Sequence, residues 1–308
     1  YKARLDDFRR QVRVRFEQLA TGSQITGLQS QLYDSFLIEV LESTLQAVDR
    51  ARRTFFETET ALIAVGGTGR GDLCPHSDLD LLFISPPREV EAFENFTSQV
   101  IRDLWDSGLQ LGVSVRTIPD ALRWSKSDPK FATSLVDARP LWGNENLCQQ
   151  LISRFQRVLR SSPRRFIAEA VEERNKERAE QSTTTQQLEP DVKRSLGGLR
   201  DLHLIRWIGF ATRGVSNIES LRLQGALSQN EARQLIHAQD FLLRLRVDLH
   251  LSAGREQDVL TRDEQLRISR SRGIAGASGQ APVERFMQEY FQHSSAVASI
   301  ARRFVAST

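Results

Sequence analysis

Ala61-Leu-Ile-Ala-Val-Gly-Gly-Thr-Gly-Arg-Gly-Asp-Leu-Cys-Pro-His-Ser-Asp-Leu-Asp-Leu-Leu-Phe-Ile84 is the stretch on which the fold turns. Two short apolar runs, Ala61–Val65 and Leu79–Ile84, flank a segment rich in glycine. Runs this short, closed by Gly66-Gly67 in one case and by Pro86-Pro87 in the other, predict two buried strands joined through a loop at Gly66–Gly71. Asp78 and Asp80 stand two apart at the head of the second run. Both side chains then project from one face, and Leu79 and Leu81 turn into the core.

Two adjacent carboxylates repel, and one takes up a proton unless a cation sits between them. Mg²⁺ suits the place, with Mn²⁺ as an alternative, because hard cations are held by one or two carboxylates plus substrate phosphates. A pair of ions about 4 Å apart activates an attacking oxygen and stabilises a leaving pyrophosphate together. Gly66, Gly67, Gly69 and Gly71 would let backbone N–H groups approach phosphate oxygens with no Cβ in the way. Arg70 and Ser77 are candidate donors to the same triphosphate. A dinucleotide fingerprint needs its glycines to open a helix directly. Here Leu-Cys-Pro-His-Ser and a second strand follow, which argues against it. The plain alternative is a glycine turn beside a solvated Asp-x-Asp. The joint pattern of strand, Gly-Gly and Ser-Asp-x-Asp-strand points instead to metal-dependent nucleotidyl transfer.

Outward from this stretch, helical spacing of apolar residues predicts helices over 1–20 and 27–57, the second carrying Leu28, Leu32, Phe36, Val40, Leu45 and Val48. Another is expected over 88–107, with Phe93, Phe96, Val100, Ile101, Leu104 and Trp105 as its stripe. Leu111–Thr117 alternates as a half-buried strand, Leu111, Val113 and Val115 facing one way and Gly112, Ser114 and Arg116 the other. Residues 134–141 read as a strand or a helix end. From Asn144 onward strands cease. Helices are expected over 147–178 with a break at Pro163, over 199–213, from the capping box at Ser228 to about Ser252, after Thr261, and from Pro282 to about Val305. Residues 181–187 read as a polar loop. The expected fold is an α/β (α+β) mixed-sheet domain over 1–143, followed by an all-α helical domain over 144–308 that would cover the nucleotide and receive a protein substrate.

Composition limits the function classes. A chain of 308 residues is long enough for two domains, and its 40% hydrophobic and 26% charged content is that of a globular protein. No apolar run approaches the ~20 residues of a membrane-spanning helix, and no membrane partner is expected. The net charge is +3 and the arginines alternate with acids, as in Glu172-Glu173-Arg174, so no one-sided basic stripe marks a nucleic-acid partner. Two cysteines, Cys74 and Cys148, suit reduced thiols in a cytoplasmic protein. A start at Tyr1 leads us to expect a fragment or processed piece.

The motif Gly-Gly-x-Gly-Arg-Gly-Asp-Leu-x-Pro-x-Ser-Asp-Leu-Asp-Leu-Leu resembles the polymerase-β-type nucleotidyltransferases. More narrowly it is similar to the bacterial PII uridylyltransferase/uridylyl-removing enzymes of nitrogen control. Gly112-Val-Ser-Val-Arg-Thr117, Leu188-Glu-Pro-Asp-Val-Lys193, Gly197-Gly-Leu-Arg-Asp201, Asp258-x-Leu260 and Pro282-Val-Glu-Arg-Phe286 resemble segments of that family in the same order. The element Lys-x3-Gly-Gly-Leu-Arg-Asp is also similar to one in glutamine synthetase adenylyltransferase, so it does not by itself fix the nucleotide. The resemblance implies transfer of UMP from UTP to a tyrosine of a PII-type signalling protein, with Asp78 and Asp80 on Mg²⁺ and Gly66 and Gly67 on the triphosphate. An adenylyltransferase, or a regulatory module that binds nucleotide with little turnover, are the alternatives.

Where related enzymes carry a third acid before x-Arg, this chain has Ser114. Asp137, in Leu135-Val-Asp-Ala-Arg139, is the candidate replacement; its other reading is a partner for Arg139 or a neighbouring helix. None of the five histidines is followed by Asp, so the family's His-Asp hydrolase site is not expected here, nor its glutamine sensor. Lys193, with Arg194 and Arg200 around Gly197-Gly198, precedes a helix. That arrangement could bind phosphate or could be a tight packing connection.

Overall fold

The computed structural model describes residues 1–181, 188–274 and 279–308. These divide into two compact units, one of residues 1–20 and 24–166 and one of residues 21–23 and 167–308. Beyond Gln181, the polar stretch expected as a loop lies outside the described residues.

The first unit opens with helices α1 (Lys2–Glu17), α2 (Gly22–Leu45) and α3 (Arg50–Glu59). The single helix expected over 27–57 is thus two. Asp49 ends the continuity: its carboxylate accepts from the N–H groups of Ala51 and Arg52 and so caps α3. β1 (Ala61–Ala64) follows, then the short helix α4 (Gly66–Arg70) and β2 (Leu79–Ile84). A 3-10 turn at Pro87–Glu89 leads into α5 (Val90–Asp106), which is followed by β3 (Leu111–Arg116). Helices α6 (Ile118–Trp124) and α7 (Pro129–Leu135) precede β4 (Arg139–Gly143), and α8 (Glu145–Ser161) closes the unit. Residues 134–141 are therefore both things expected of them, the end of α7 and the start of β4.

The sheet has the order β3-β2-β1-β4, with β2 and β3 parallel and the other pairs antiparallel. One face is buried by Phe8 of α1, Phe36 and Leu37 of α2, Phe56 of α3, and Phe93, Val100 and Leu104 of α5, packed on Leu62, Leu79, Leu81 and Phe83. Each such side chain contributes roughly 1.5–3 kcal/mol relative to exposure. On α5 the buried stripe is narrower than expected, since Trp105 is 56% exposed. The other face, with Ile63, Leu82 and Ile84 also buried, meets α8 along β1 and β4. Cys74 and Cys148 are buried free thiols.

The second unit contains most of α9 (Pro163–Gln181), then α10 (Leu199–Arg213), α11 (Ile218–Leu223), α12 (Gln229–Ala253), α13 (Arg262–Ser271) and α14 (Pro282–Ala306). α14 packs on α10, α12 and α13. Its described residues hold no strand, only an isolated bridge between Asp191 and Val259. No described helix is long and apolar enough to cross a membrane.

The capping box at Ser228 forms as expected: Glu231 accepts from the Ser228 N–H and hydroxyl, and the Ser228 hydroxyl accepts from the Glu231 N–H. Arg303 of α14 also donates to Glu231 at 2.6 Å. Arg303 and Ser228 together hold the Glu231 carboxyl down to about 2, against an ordinary 4.5. A depressed folded pKa adds stability above the ordinary value and loses it as pH falls toward the folded one. Glu231→Gln should therefore cost about 1 kcal/mol in urea unfolding at neutral pH. The gap to wild type should close between pH 4.5 and 2; a gap of constant size across that window would refute the assignment.

Candidate functional site

The site region is built where β1, α4 and β2 meet. Asp80 is the second residue of β2, with Asp78 just before the strand. Leu79 and Leu81 lie in the core cluster, so the two acids fall on the alternate side; Asp78 is exposed and Asp80 half-buried. Parallel pairing sets Asp80 opposite Gly112 of β3.

Two missing side chains make room for the Asp80 carboxylate. A Cβ at Gly112 would lie 2.9 Å from its Oδ1, and a Cβ at Gly66 would lie 2.6 Å from its Oδ2. Gly66 also has φ of 53°, a left-handed conformation in which glycine alone is unstrained. From below, the Asp80 N–H donates to the buried hydroxyl of Thr68 at 2.8 Å.

The glycine segment differs from the open loop expected. It forms a helical turn, α4, that ends at Gly71 with φ of 73°. Those glycines do open a helix, but one of five residues that leads into an antiparallel strand, not the long crossover helix of a dinucleotide fold. As the first residues of a helix, Gly66 and Gly67 carry N–H groups with no intrahelical acceptor. Gly69 has another function, since a Cβ there would meet the Asp137 carbonyl oxygen at 2.1 Å. Arg139 fastens α4: its guanidinium donates to the carbonyls of Thr68 and Gly69 at 3.1 and 3.2 Å and pairs with Asp34 of α2 at 2.8 Å.

Arg70 is occupied by carboxylates. It donates to Asp72 and to Asp137, each at 3.0 Å, and its side chain is 7% exposed. Burial alone would lower its pKa, but Asp137 and Asp72 outweigh that and raise it. Asp137, whose side chain is 1% exposed, thus has Arg70 of α4 as its partner, while Arg139 turns to Asp34. The Ser77 hydroxyl closes a turn by accepting from the Cys74 N–H at 3.0 Å.

Gly66, Gly67, Arg70, Gly71, Ser77, Asp78, Asp80 and Asp137 all belong to the first unit, and Lys193 to the second. The Lys193 ammonium lies 3.4 Å from Glu256 and 3.8 Å from Asp258. At the start of α10 the N–H groups of Leu199, Arg200 and Asp201 donate to the carbonyls of Val192, Lys193 and Gly198. Those donors are used by carbonyls within the connection itself.

Sequence reasoning passed over Asp34, Thr68, Gly112 and Arg139 as a working set. Gly112 had a readable signal: a glycine inside an otherwise β-forming strand marks a close approach. The reach of Arg139 to Asp34 spans too much sequence to be read from spacing.

Two families match the chain in tandem. The family described as "Putative nucleotidyltransferase DUF294" matches residues 6–135, and "GlnD PII-uridylyltransferase" matches residues 165–305. Among curated proteins, the bifunctional uridylyltransferase/uridylyl-removing enzyme of Caulobacter vibrioides is 37% identical over 95% of this chain. Over nearly its whole length the chain is similar to these uridylyltransferases. Proteins of the same name from Rhodospirillum rubrum and Azospirillum brasilense are 35% and 33% identical over 99% and 98% of the chain. The chain spans 31–33% of the length of these relatives. The nucleotidyltransferase match takes in Gly66, Thr68, Asp78, Asp80 and Gly112; Asp137 and Arg139 fall between the two matches.

Proposed function

We propose that the chain carries the nucleotidyl-transfer activity of a uridylyltransferase, moving UMP from UTP to a tyrosine of a PII-type signalling protein and releasing pyrophosphate. Residues 1–143 would form the catalytic domain and 144–308 the helical domain, acting in the bacterial cytoplasm. The observation that carries the reading is the seat of Asp80, a carboxylate lodged between two Cβ-less positions with the exposed Asp78 beside it. Space at that seat and two hard oxygen donors fit Mg²⁺, or Mn²⁺, whose remaining positions substrate phosphate and water would fill. When bound, the ion supplies charge neutralisation at the phosphates and acidifies the incoming hydroxyl.

Asp78 and Asp80 would hold the ion, and the Thr68 hydroxyl, which accepts from the Asp80 N–H, fixes the backbone of Asp80. The N–H groups of Gly66 and Gly67, first residues of a helix, would be available to the triphosphate. The tyrosine oxygen forms a bond to the α-phosphorus as the bond to the bridging β-oxygen breaks; pyrophosphate leaves and the phenolic proton passes to solvent. Arg70, Gly71 and Ser77 shape the turn beneath this centre. Lys193 acts on the nucleotide only if it exchanges its acidic neighbours for phosphate.

One observation favours a second reading, a module that holds nucleotide with little turnover. Among the described residues no group of three or more His, Cys, Asp or Glu side chains could hold a metal ion. Incubation with Mg²⁺, labelled UTP or ATP, and PII separates the readings. Label from UTP on PII is expected. Binding without pyrophosphate release would favour the module, and label from ATP an adenylyltransferase.

Asp137 bears on the same question. Paired as it is with buried Arg70, Asp137→Asn should lower stability by on the order of 3 kcal/mol. The Mg²⁺ concentration at half-maximal rate should not move in the folded variant. A shift in that concentration would place Asp137 among the ligands instead.

A further inference from the structure

β3 is the edge strand of the sheet, and Gly112 is exposed within it. Glycine weakens a strand, and alanine in its place should help unless something approaches closely. Among the described residues, chain neighbours apart, Oδ1 of Asp80 is the only atom within 4 Å of a Cβ built there, at 2.9 Å, and no other described backbone or core atom competes for the space. The conflict would be with the far end of one side chain, and that side chain is one of the two proposed ligands.

We propose that Gly112 is a positioning residue for Asp80: the absence of a side chain there sets the angle at which the Asp80 carboxylate is presented. This rests on the uridylyltransferase reading of the same site and deepens it. Gly66 bounds the other oxygen, Oδ2, so the carboxylate plane is confined from both sides. The Thr68 hydroxyl fixes the backbone of the same residue through the Asp80 N–H. With the main chain held and both flanks open only to the width of a hydrogen, χ1 and χ2 of Asp80 have a narrow range. A methyl group at 112 must turn the carboxylate toward Gly66, where the space is already taken.

Gly112 and Gly66 differ as probes. Gly66 adopts positive φ, so alanine there strains the backbone as well as moving Asp80. Gly112 is not among the positive-φ glycines, so Gly112→Ala isolates the effect on the carboxylate.

The test is made on the whole chain with Mn²⁺ as the probe, its binding followed by electron paramagnetic resonance, with urea unfolding and UMP transfer to PII measured in parallel. For Gly112→Ala we expect Mn²⁺ affinity to fall by about tenfold or more, as when a ligand loses its orienting neighbour. The metal concentration at half-maximal transfer should rise in proportion, and the unfolding midpoint should stay at or above wild type. Gly27→Ala in α2, where no described atom lies within 4 Å, should match wild type in Mn²⁺ affinity and transfer and unfold at or above the wild-type midpoint. Asp80→Asn separates the two levels of argument. If it abolishes Mn²⁺ binding while Gly112→Ala binds as wild type does, the positioning role is wrong and the site stands. If wild type and Asp80→Asn bind Mn²⁺ alike, the site itself is wrong. A Gly112→Ala chain that unfolds would also overturn the proposal, because the conflict would then lie with the fold.

Discussion

Replacing Asp78 and Asp80 together by asparagine should abolish UMP transfer to PII, lowering the rate by at least about a thousandfold, while the unfolding midpoint stays close to wild type. Asparagine keeps the shape of aspartate and removes its negative charge, so the variant reports on charge at the site. Asp78 is exposed and Asp80 half-buried, so the change removes charge from a site within reach of solvent. The bond from the Asp80 N–H to Thr68 is a backbone bond and survives the change. Stability should therefore be nearly indifferent, and catalysis should not. The measurement is labelled UMP on PII with pyrophosphate release, run beside urea unfolding. A double variant that still transfers within about tenfold of wild type would sink the assignment of these two acids.

Asp201→Ala should be the most destabilising single change in the second unit. Asp201 is 0% exposed and accepts from the Arg174 Nε at 2.6 Å, from Arg178 at 2.7 Å and from the Gly197 N–H at 2.7 Å. Arg174 is itself buried and donates onward to the carbonyls of Arg194 and Ser195 at 2.7 and 3.0 Å. One carboxylate thus ties α9, the 191–198 connection and the first turn of α10. Its removal leaves the buried Arg174 with the half-buried Glu177, at 3.4 Å, as remaining counter-ion; breaking such a buried pair typically costs 3–5 kcal/mol, about 3 here. Urea unfolding checks the size, and Asp201→Asn, which keeps an acceptor for Gly197, should lose less. Equal losses in the two variants would mean that the negative charge, rather than the acceptor or the volume, matters at this position.

The Lys-x3-Gly-Gly-Leu-Arg-Asp segment therefore has a readable physical basis. Asp201 and Gly197 satisfy each other across four residues, and Asp191 accepts from the Lys193 and Arg194 N–H groups at 2.8 and 2.7 Å. Spacing alone left this segment open between a phosphate site and a packing joint. The hydrogen bonds fill the donors at the start of α10 and account for the packing.

Local pattern was enough for much of the rest. Period-two alternation and short apolar runs located β1, β2 and β3, because a residue's neighbours two positions away share its face whatever lies beyond. The same rule paired Asp78 with Asp80 and sent Leu79 and Leu81 inward. Capping signatures at Ser228, Thr261 and Pro282 set helix starts, since a cap involves only three or four consecutive residues. The division of the 27–57 segment at Asp49 was present in the same signal, outweighed by a hydrophobic stripe that ran on through Val48.

By itself the sequence determined which segments are strand or helix, where the two acids stand relative to the core, and which chemistry a hard-oxygen pair beside glycines suits. Only the tertiary structure decided that α4 is a helical turn, that Arg70 is held by Asp72 and Asp137, that Arg139 reaches Asp34, and that Gly112 faces Asp80. Apart from the turn of α4 and the Arg70–Asp72 pair, each of these joins residues far apart in the chain or depends on strand register. Periodicity carries information along a segment; it carries none about which segment comes to lie across from it.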